Sequence, residues 1–305
     1  MADVWQDRCL VDEPMSRHTV WGVGGNATRL FRPKRVADLT AFLRQCPAAE
    51  PLLWVGLGSN LLVRDGGFAG TVILTGSLSS QLERLATNLV AASAGVSCAK
   101  LARFCARLGL RGGEFFAGIP GTVGGALAMN AGAFGAETWA LVHRVQTIDR
   151  QGVCRWREGT HYRVGYRTLA GPADEWFLSA EFRLQPGEPS PAEAEIRRLL
   201  KERAEKQPLG QRSCGSVFRN PPGDYAGRLI EASGLKGLRV GAAMVSEKHA
   251  NFIVNTGGAS AAEIEELISR VTAVVAERQG IHLVPEVRIV GRGLGEPHPG
   301  VCEQP

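Results

Sequence analysis

Three short segments carry side chains that could act on a small anionic molecule. Val164-Gly165-Tyr166-Arg167-Thr168 sets a guanidinium beside an aromatic ring, and Cys214-Gly215-Ser216-Val217-Phe218-Arg219-Asn220-Pro221 sets a hydroxyl after a glycine. Pro285-Glu286-Val287-Arg288 supplies a carboxylate. An arginine can pair bidentately with a carboxylate, and hydroxyl and carboxyl groups can hold or deliver a proton. Each segment alone also fits a plainer duty: a surface arginine over a tyrosine, a turn hydroxyl, the wet face of an edge strand.

Two glycine-rich runs add a different capability. Val55-Gly56-Leu57-Gly58-Ser59-Asn60-Leu61-Leu62-Val63 and Gly118-Ile119-Pro120-Gly121-Thr122-Val123-Gly124-Gly125-Ala126, the latter continuing to Asn130-Ala131-Gly132, are rich in residues without bulk. Such residues let backbone N–H groups approach an anion, so two loops of this kind could grip one diphosphate-bearing cofactor. Neither is a familiar nucleotide loop. Leu61 stands where a dinucleotide fingerprint needs its third glycine, and an apolar Leu61-Leu62-Val63 follows in place of an amphipathic helix. The second run lacks the Lys-Ser/Thr pair of a P-loop. Gly215-Ser216 lacks the Gly-x-Ser-x-Gly elbow of a hydrolase nucleophile, His249 in Ser246-Glu247-Lys248-His249 reads as a helix-end or loop residue, and no histidine or carboxylate spacing suggests a metal.

The elements that must position these groups follow from periodicity. A chain of 305 residues with 44% hydrophobic content can bury a large core divided over two or three domains. Val36, Leu39, Phe42 and Leu43 share one helical face, strand-like runs cover 52–55 and 71–74, and together they form a small α+β unit. A strand near 89–94, a helix over 97–108 stopped by Gly109, and the strict alternation of Leu178-Ser179-Ala180-Glu181-Phe182-Arg183-Leu184 mark a second unit. Residues 186–191 read as a linker, and Ser190-Pro191-Ala192-Glu193 as a capping box opening a helix that stops before Pro208. Ser260-Ala261-Ala262-Glu263 opens a last long helix that ends near Gly280, before a strand-like 282–290. Seven scattered cysteines, none in Cys-x-x-Cys, argue for reduced thiols and a cytoplasmic setting. The charged first residues give no export signal, and no apolar stretch is long enough to span a membrane. A net charge of +5 without a basic block argues against nucleic acid as the partner, whereas single arginines in a pocket could serve an anionic small molecule.

These segments, together with His18-Thr19-Val20-Trp21-Gly22-Val23-Gly24-Gly25-Asn26-Ala27 and Ser246-Glu247-Lys248-His249-Ala250-Asn251-Phe252, occur in an order that resembles the UDP-N-acetylenolpyruvoylglucosamine reductase (UDP-N-acetylmuramate dehydrogenase) family. The resemblance runs from about Arg17 to Gly291. It implies an α+β protein with two FAD-binding α+β subdomains of the vanillyl-alcohol-oxidase/PCMH type, 15–78 and 79–188, a C-terminal α+β substrate-binding domain, 189–291, and a disordered tail, 292–305. The implied cofactors are FAD and NADPH, and the implied substrate is UDP-N-acetylglucosamine-enolpyruvate, reduced to UDP-N-acetylmuramate by a monomeric cytoplasmic enzyme of peptidoglycan precursor synthesis.

Carried over by motif, Ser216 matches the family's proton donor, and Arg167 and Glu286 match the pair that acts on the substrate carboxylate. Gly56, Gly58, Ser59, Asn60, Leu61, Gly118, Ile119, Pro120, Gly121, Thr122, Gly124, Gly125, Asn130 and Gly132 fall to the cofactor, and Tyr166, Arg219, Asn220 and Lys248 to the substrate. Hydride delivery to C3 of an enolpyruvyl ether builds negative charge at C2 and on the carboxylate, so a cation at that carboxylate stabilises the transition state most. Two features depart from the family pattern. Leu169 replaces a common serine two residues after Arg167, and Tyr162-Arg163 offers a second Tyr-Arg pair. The segment then runs directly to Phe177 without the long insertion of larger members, which makes this the short-loop form. An oxidase of the same flavin fold and a catalytically silent nucleotide-binding protein are the competing readings.

Overall fold

A computed structural model describes residues 8–78 and 81–296. It is a mixed α+β protein whose contacts divide it into two compact units. The first comprises residues up to Leu10, Phe31–Leu57 and Val72–Glu205; the second comprises Val11–Leu30, Gly58–Thr71 and the chain from Lys206. The chain changes unit within the strands Cys9–Pro14, Asn26–Phe31 and Phe68–Leu74.

In the first unit, α1 (Val36–Gln45) buries Leu39, Phe42 and Leu43, as its periodicity predicts, while Val36 stays partly exposed. Asp38 caps it by accepting the Arg35 N–H at 3.0 Å. Phe42 stacks on Phe31 with centroids 4.5 Å apart, in a small core with Ile73, Ile148 and Leu178. The main scaffold is an antiparallel five-stranded sheet in the order Cys154–Glu158, Val142–Asp149, Glu175–Arg183, Leu89–Ser93, Leu82–Ala86. α2 (Cys98–Arg107) starts at Ser97, whose hydroxyl accepts the Lys100 N–H, and stops before Gly109, whose φ of +67° ends the helix without strain. With α3 (Val123–Ala128) it closes a core of Val90, Leu101, Cys105, Phe116, Leu127, Val145, Ala180 and Phe182. The alternation expected over 178–184 holds for Leu178, Ala180 and Phe182, but Glu181 on the opposite side is buried as well. It is matched by Arg144, which donates from Nε and Nη2 at 2.9 and 2.8 Å. The next helix, α4 (Pro189–Lys206), takes Ser190 and Pro191 into its own first turn, so Ser190 lies inside the helix and does not cap it.

The second unit packs α5 (Ala226–Ala232) and α6 (Ala261–Gln279) with a three-stranded antiparallel sheet, Arg239–Val240, Ala243–Val245 and Ile253–Asn255. α6 begins with the expected capping box of Ser260 and Glu263 and ends at Gly280, φ +67°. The apolar run after the first glycine loop forms strand Leu61–Val63, which pairs in parallel with Arg288–Val290. The strand expected over 282–290 is therefore only three residues long. Pro285 cannot donate to a ladder, and the residues around it turn instead to the Ser216 segment. Trp21, fully buried, donates from Nε1 to the Ile253 carbonyl at 2.8 Å and accepts from Asn255 at its own carbonyl, fastening the early segment into this core.

Among the described residues all six cysteines are free thiols, no cluster of His, Cys, Asp or Glu is suited to a metal, and no helix is long and apolar enough to cross a membrane. The tail reading begins at 292; Arg292 still donates its N–H to the Gly67 carbonyl at 3.0 Å, and residues 297–305 lie outside the described residues.

Candidate active site

The first unit brings Gly56 of the first glycine run against Thr122 of the second. Gly56 follows strand Leu52–Val55, and a Cβ added there would lie 2.4 Å from Thr122 Oγ1. Thr122 is the N-cap of α3 and accepts the Gly125 N–H at 3.3 Å, so this approach is possible only because residue 56 has no side chain. The runs use their small residues differently. In the second, Gly121, Val123 and Gly124 donate their N–H groups to the carbonyls of Ile119, Val96 and Ala94 at 2.8–2.9 Å, and a Cβ on Gly124 would meet Ala94 Cβ at 2.9 Å. Gly124 thereby permits close packing against Ala94.

In the first run the N–H groups of Leu57, Gly58 and Ser59 donate to no protein acceptor among the described residues. Gly58 has φ +64°, and a Cβ there would fall 2.0 Å from the His18 carbonyl oxygen, so only glycine fits. Consecutive free amides on an unbranched backbone are the chemistry a diphosphate needs, and the residues fit an FAD-type cofactor on that ground. Leu57, Gly58 and Ser59, with the small Gly56 behind them, are the groups that would hold its phosphates.

Arg167 also belongs to the first unit. Strands Arg163–Gly165 and Thr168–Ala170 form a hairpin, and Tyr166 and Arg167 are its turn. Arg167 has φ +53°, a left-handed conformation that costs a non-glycine residue of order 1 kcal/mol or more and persists only where the surroundings enforce it. Its Nη2 donates to the Gly132 carbonyl at 2.7 Å and its Nη1 to the Asn130 carbonyl at 3.4 Å, which ties the turn to the end of the second glycine run. A Cβ on Gly132 would lie 2.3 Å from the Ala136 oxygen and 3.0 Å from Arg167 Nη1. Tyr166, about half exposed, places its ring centroid 5.2 Å from the Arg167 guanidinium carbon. The other Tyr-Arg pair is built otherwise. Tyr162 packs against Trp139 and Phe177, and burial pushes its hydroxyl up to about 12.

Ser216 and Glu286 belong to the second unit, which stitches their segments side by side. The Glu286 N–H donates to the Val217 carbonyl at 2.7 Å, the Arg219 N–H donates to the Val284 carbonyl at 3.0 Å, and Phe218 pairs with Pro285. Asn60, at the end of the first glycine run, donates from Nδ2 to the Glu286 carbonyl at 3.1 Å and accepts the Arg288 N–H at 3.1 Å. Gly215, φ +75°, has open space around its Cα, and the Ser216 hydroxyl, half-buried, makes no hydrogen bond among the described residues. The neighbouring Cys214 is no nucleophile: burial pushes its thiol up to about 12. Of the expected substrate residues, Asn220 accepts the Ala226 N–H at the start of α5, and Lys248 is exposed beyond Ser246, whose Oγ accepts its N–H.

Two residues outside the sequence-based set hold these segments, one in each unit. Asn251, 4% exposed, accepts the Phe218 N–H at Oδ1 and donates from Nδ2 to the Phe218 carbonyl, at 2.9 and 2.8 Å, while its own carbonyl takes the Val217 N–H. It thus copies a strand partner for the residues after Ser216. Glu137 accepts from Asn130 Nδ2 at 2.8 Å in the first unit. Only membership of a motif marked Asn251, and nothing in its spacing separated it from its neighbours. His249 stacks edge-on to Phe252, and burial lowers its pKa.

Comparison with known proteins adds to this geometry. Residues 27–156 match the family described as FAD binding domain, and residues 207–290 match UDP-N-acetylenolpyruvoylglucosamine reductase, C-terminal domain. The chain is 61% identical over 280 residues to the UDP-N-acetylenolpyruvoylglucosamine reductase of Alkalilimnicola ehrlichii, covering 92% of this chain and 93% of that protein. It is 59% identical over 277 residues to that of Nitrosococcus oceani, covering 91% and 93%. The crystal structure of UDP-N-acetylenolpyruvylglucosamine reductase from Thermus caldophilus superposes with a TM-score of 0.78 at 32% identity, over 92% of this chain and 97% of that one. With this identity across nearly its whole length and both family models matched, the chain belongs to the UDP-N-acetylenolpyruvoylglucosamine reductase family of FAD-dependent oxidoreductases.

Proposed function

We propose that the chain reduces the enolpyruvyl group of UDP-N-acetylglucosamine-enolpyruvate to UDP-N-acetylmuramate at the expense of NADPH, in peptidoglycan precursor synthesis. The hydride chemistry is supplied by FAD when bound. Arg167 pairs with the substrate carboxylate, where charge grows as hydride reaches C3, so its interaction is stronger in the transition state than in the ground state. Ser216 donates the proton that C2 then requires; its uncommitted hydroxyl is consistent with that task. Glu286 shares a proton with the enol-like form of the carboxylate. Tyr166, Arg219, Asn220 and Lys248 are the proposed substrate contacts, and the remaining glycine-run residues the proposed cofactor contacts. The same reading keeps three functional domains, 15–78, 79–188 and 189–291, in a monomeric cytoplasmic enzyme.

The observation that most supports this reading is the pairing of the Ser216 and Glu286 segments through the 2.7 Å bond from Glu286 N–H to the Val217 carbonyl. It places a hydroxyl and a carboxylate from distant parts of the chain on one frame. The test is anaerobic stopped-flow on wild type and Ser216→Ala. The variant should take electrons from NADPH into FAD at nearly the wild-type rate, and should pass them to the enolpyruvyl substrate on the order of 10²- to 10⁴-fold more slowly. Equal loss in both half-reactions would assign Ser216 to folding or cofactor retention and remove it from proton transfer.

A further inference from the structure

We propose that Asn130 and Glu137 are positioning residues, an amide–carboxylate couple of a buried asparagine and a half-buried glutamate that sets the Tyr166-Arg167 turn and so aims Arg167 at an anionic substrate group. This rests on the role given to Arg167 above.

Asn130 is fully buried and itself left-handed, with φ +46°. Every polar atom of its side chain is used inside the protein. Oδ1 accepts the Trp139 N–H at 3.1 Å, and Nδ2 donates to Glu137 Oε2 at 2.8 Å and to the Gly165 carbonyl at 3.0 Å. The orientation of the amide is therefore fixed: exchanging O and N would set a donor against a donor and an acceptor against two acceptors. Gly165 is the residue that enters the turn, and the Asn130 backbone carbonyl accepts from Arg167 Nη1, so one residue holds both the entry to the turn and the side chain it presents.

Glu137 completes the arrangement. It is paired with Gly132 across the hairpin Gly132–Ala133/Ala136–Glu137, and the Gly132 carbonyl is the second acceptor of Arg167, at 2.7 Å. A strained φ at an arginine needs surroundings that over-determine it, and this couple is what supplies them.

The experiment uses the FAD-loaded full chain as wild type, Asn130→Gly, Asn130→Asp, Glu137→Gln and the double variant Asn130→Asp/Glu137→Gln. Glycine keeps the left-handed backbone and deletes the side chain. Aspartate keeps the acceptor for Trp139 but turns an oxygen on Glu137 and Gly165. In the double variant the new amide at position 137 can donate to the new carboxylate at position 130, restoring one bond with the polarity reversed. Thermal midpoint, bound FAD per chain and both half-reactions are measured. In Asn130→Asp the transfer from flavin to the enolpyruvyl substrate should fall about 10- to 100-fold. That fall should be at least tenfold greater than the fall in reduction by NADPH, and the double variant should regain several-fold. Equal falls in both half-reactions, or a substrate step within about twofold of wild type, would overturn the proposal. A crystal structure of Asn130→Gly reads the turn without reference to turnover. Arg167 is expected to leave the left-handed region, and an unchanged φ would overturn the proposal even if the wild type prefers another substrate.

Discussion

The contact between Gly56 and Thr122 can be tested as a closed thermodynamic cycle. Gly56 has no positive φ, so alanine is compatible with its backbone and would by itself stabilise the protein by about 0.4–1 kcal/mol through the unfolded chain. Against this stands the clash. The new methyl would sit 2.4 Å from Thr122 Oγ1 and 3.2 Å from its Cγ2, and overpacking of this kind costs about 1–3 kcal/mol. Relief by rotating Thr122 would exchange that clash for loss of the cap of α3, about 0.5–2 kcal/mol. Gly56→Ala should therefore destabilise by up to about 2.5 kcal/mol net, and Thr122→Ala by the cap alone. In the double variant both clashing atoms are gone and the nearest remaining one, Thr122 Cβ, is at 3.4 Å, so it should be no less stable than Thr122→Ala. The coupling energy should exceed about 1 kcal/mol, well above the few tenths typical of independent sites. Guanidinium denaturation of the FAD-free proteins, followed by tryptophan fluorescence, gives the four stabilities. Additivity within about 0.5 kcal/mol would refute the reasoning, because the two glycine runs could then not be in the contact described.

Asn251→Ala leaves the Phe218 N–H and C=O buried without their side-chain partner, and should cost about 2–4 kcal/mol. It should also slow the substrate half-reaction by loosening Ser216; denaturation and stopped-flow measure the two effects, and a variant as stable as wild type would contradict the clamp. The depressed pKa of His249 makes a pH prediction. Burial disfavours its charged form in the folded state, so below the ordinary histidine value of 6.5 the unfolded chain binds the extra proton and stability falls. Replacing His249 by Gln should flatten the loss of denaturation midpoint between about pH 7.5 and 5.5, and an unchanged slope would assign that loss to other groups.

The helices with complete local signals were legible in the sequence. α1, α2 and α6 each carry an apolar stripe and a capping residue, and α6 has both its capping box and its glycine stop. The start of α4 differs from its expected place because proline tolerates the first helical turn anywhere, so Ser190-Pro191 fits inside that turn as well as before it. Residues 282–290 look like one strand by hydrophobicity, yet their hydrogen bonds are divided between the Ser216 segment and strand Leu61–Val63. The glycine runs were expected as loops, yet the second carries α3 over Val123–Ala128 and the first ends in strand Leu61–Val63. That the amides of one are open while those of the other are spent on Ala94, Val96 and Ile119 depends on neighbours brought in by folding. The same holds for Asn130, whose type suggests a ligand contact and whose three side-chain bonds are all internal.

The parallel pairing of Leu61–Val63 with Arg288–Val290 has a consequence for biosynthesis. Asn60 and Glu286, which bond beside it, are 226 positions apart, so the early strand leaves the ribosome long before its partner exists. At ordinary elongation speeds that wait is roughly 10–45 s. During it Leu62, destined for complete burial, has no core to enter, and an apolar strand with an unmatched edge is a target for aggregation or for a chaperone. The second unit is therefore committed to a late closure of high contact order. Truncation of the C-terminal strand should remove the shelter of residues at the other end of the chain.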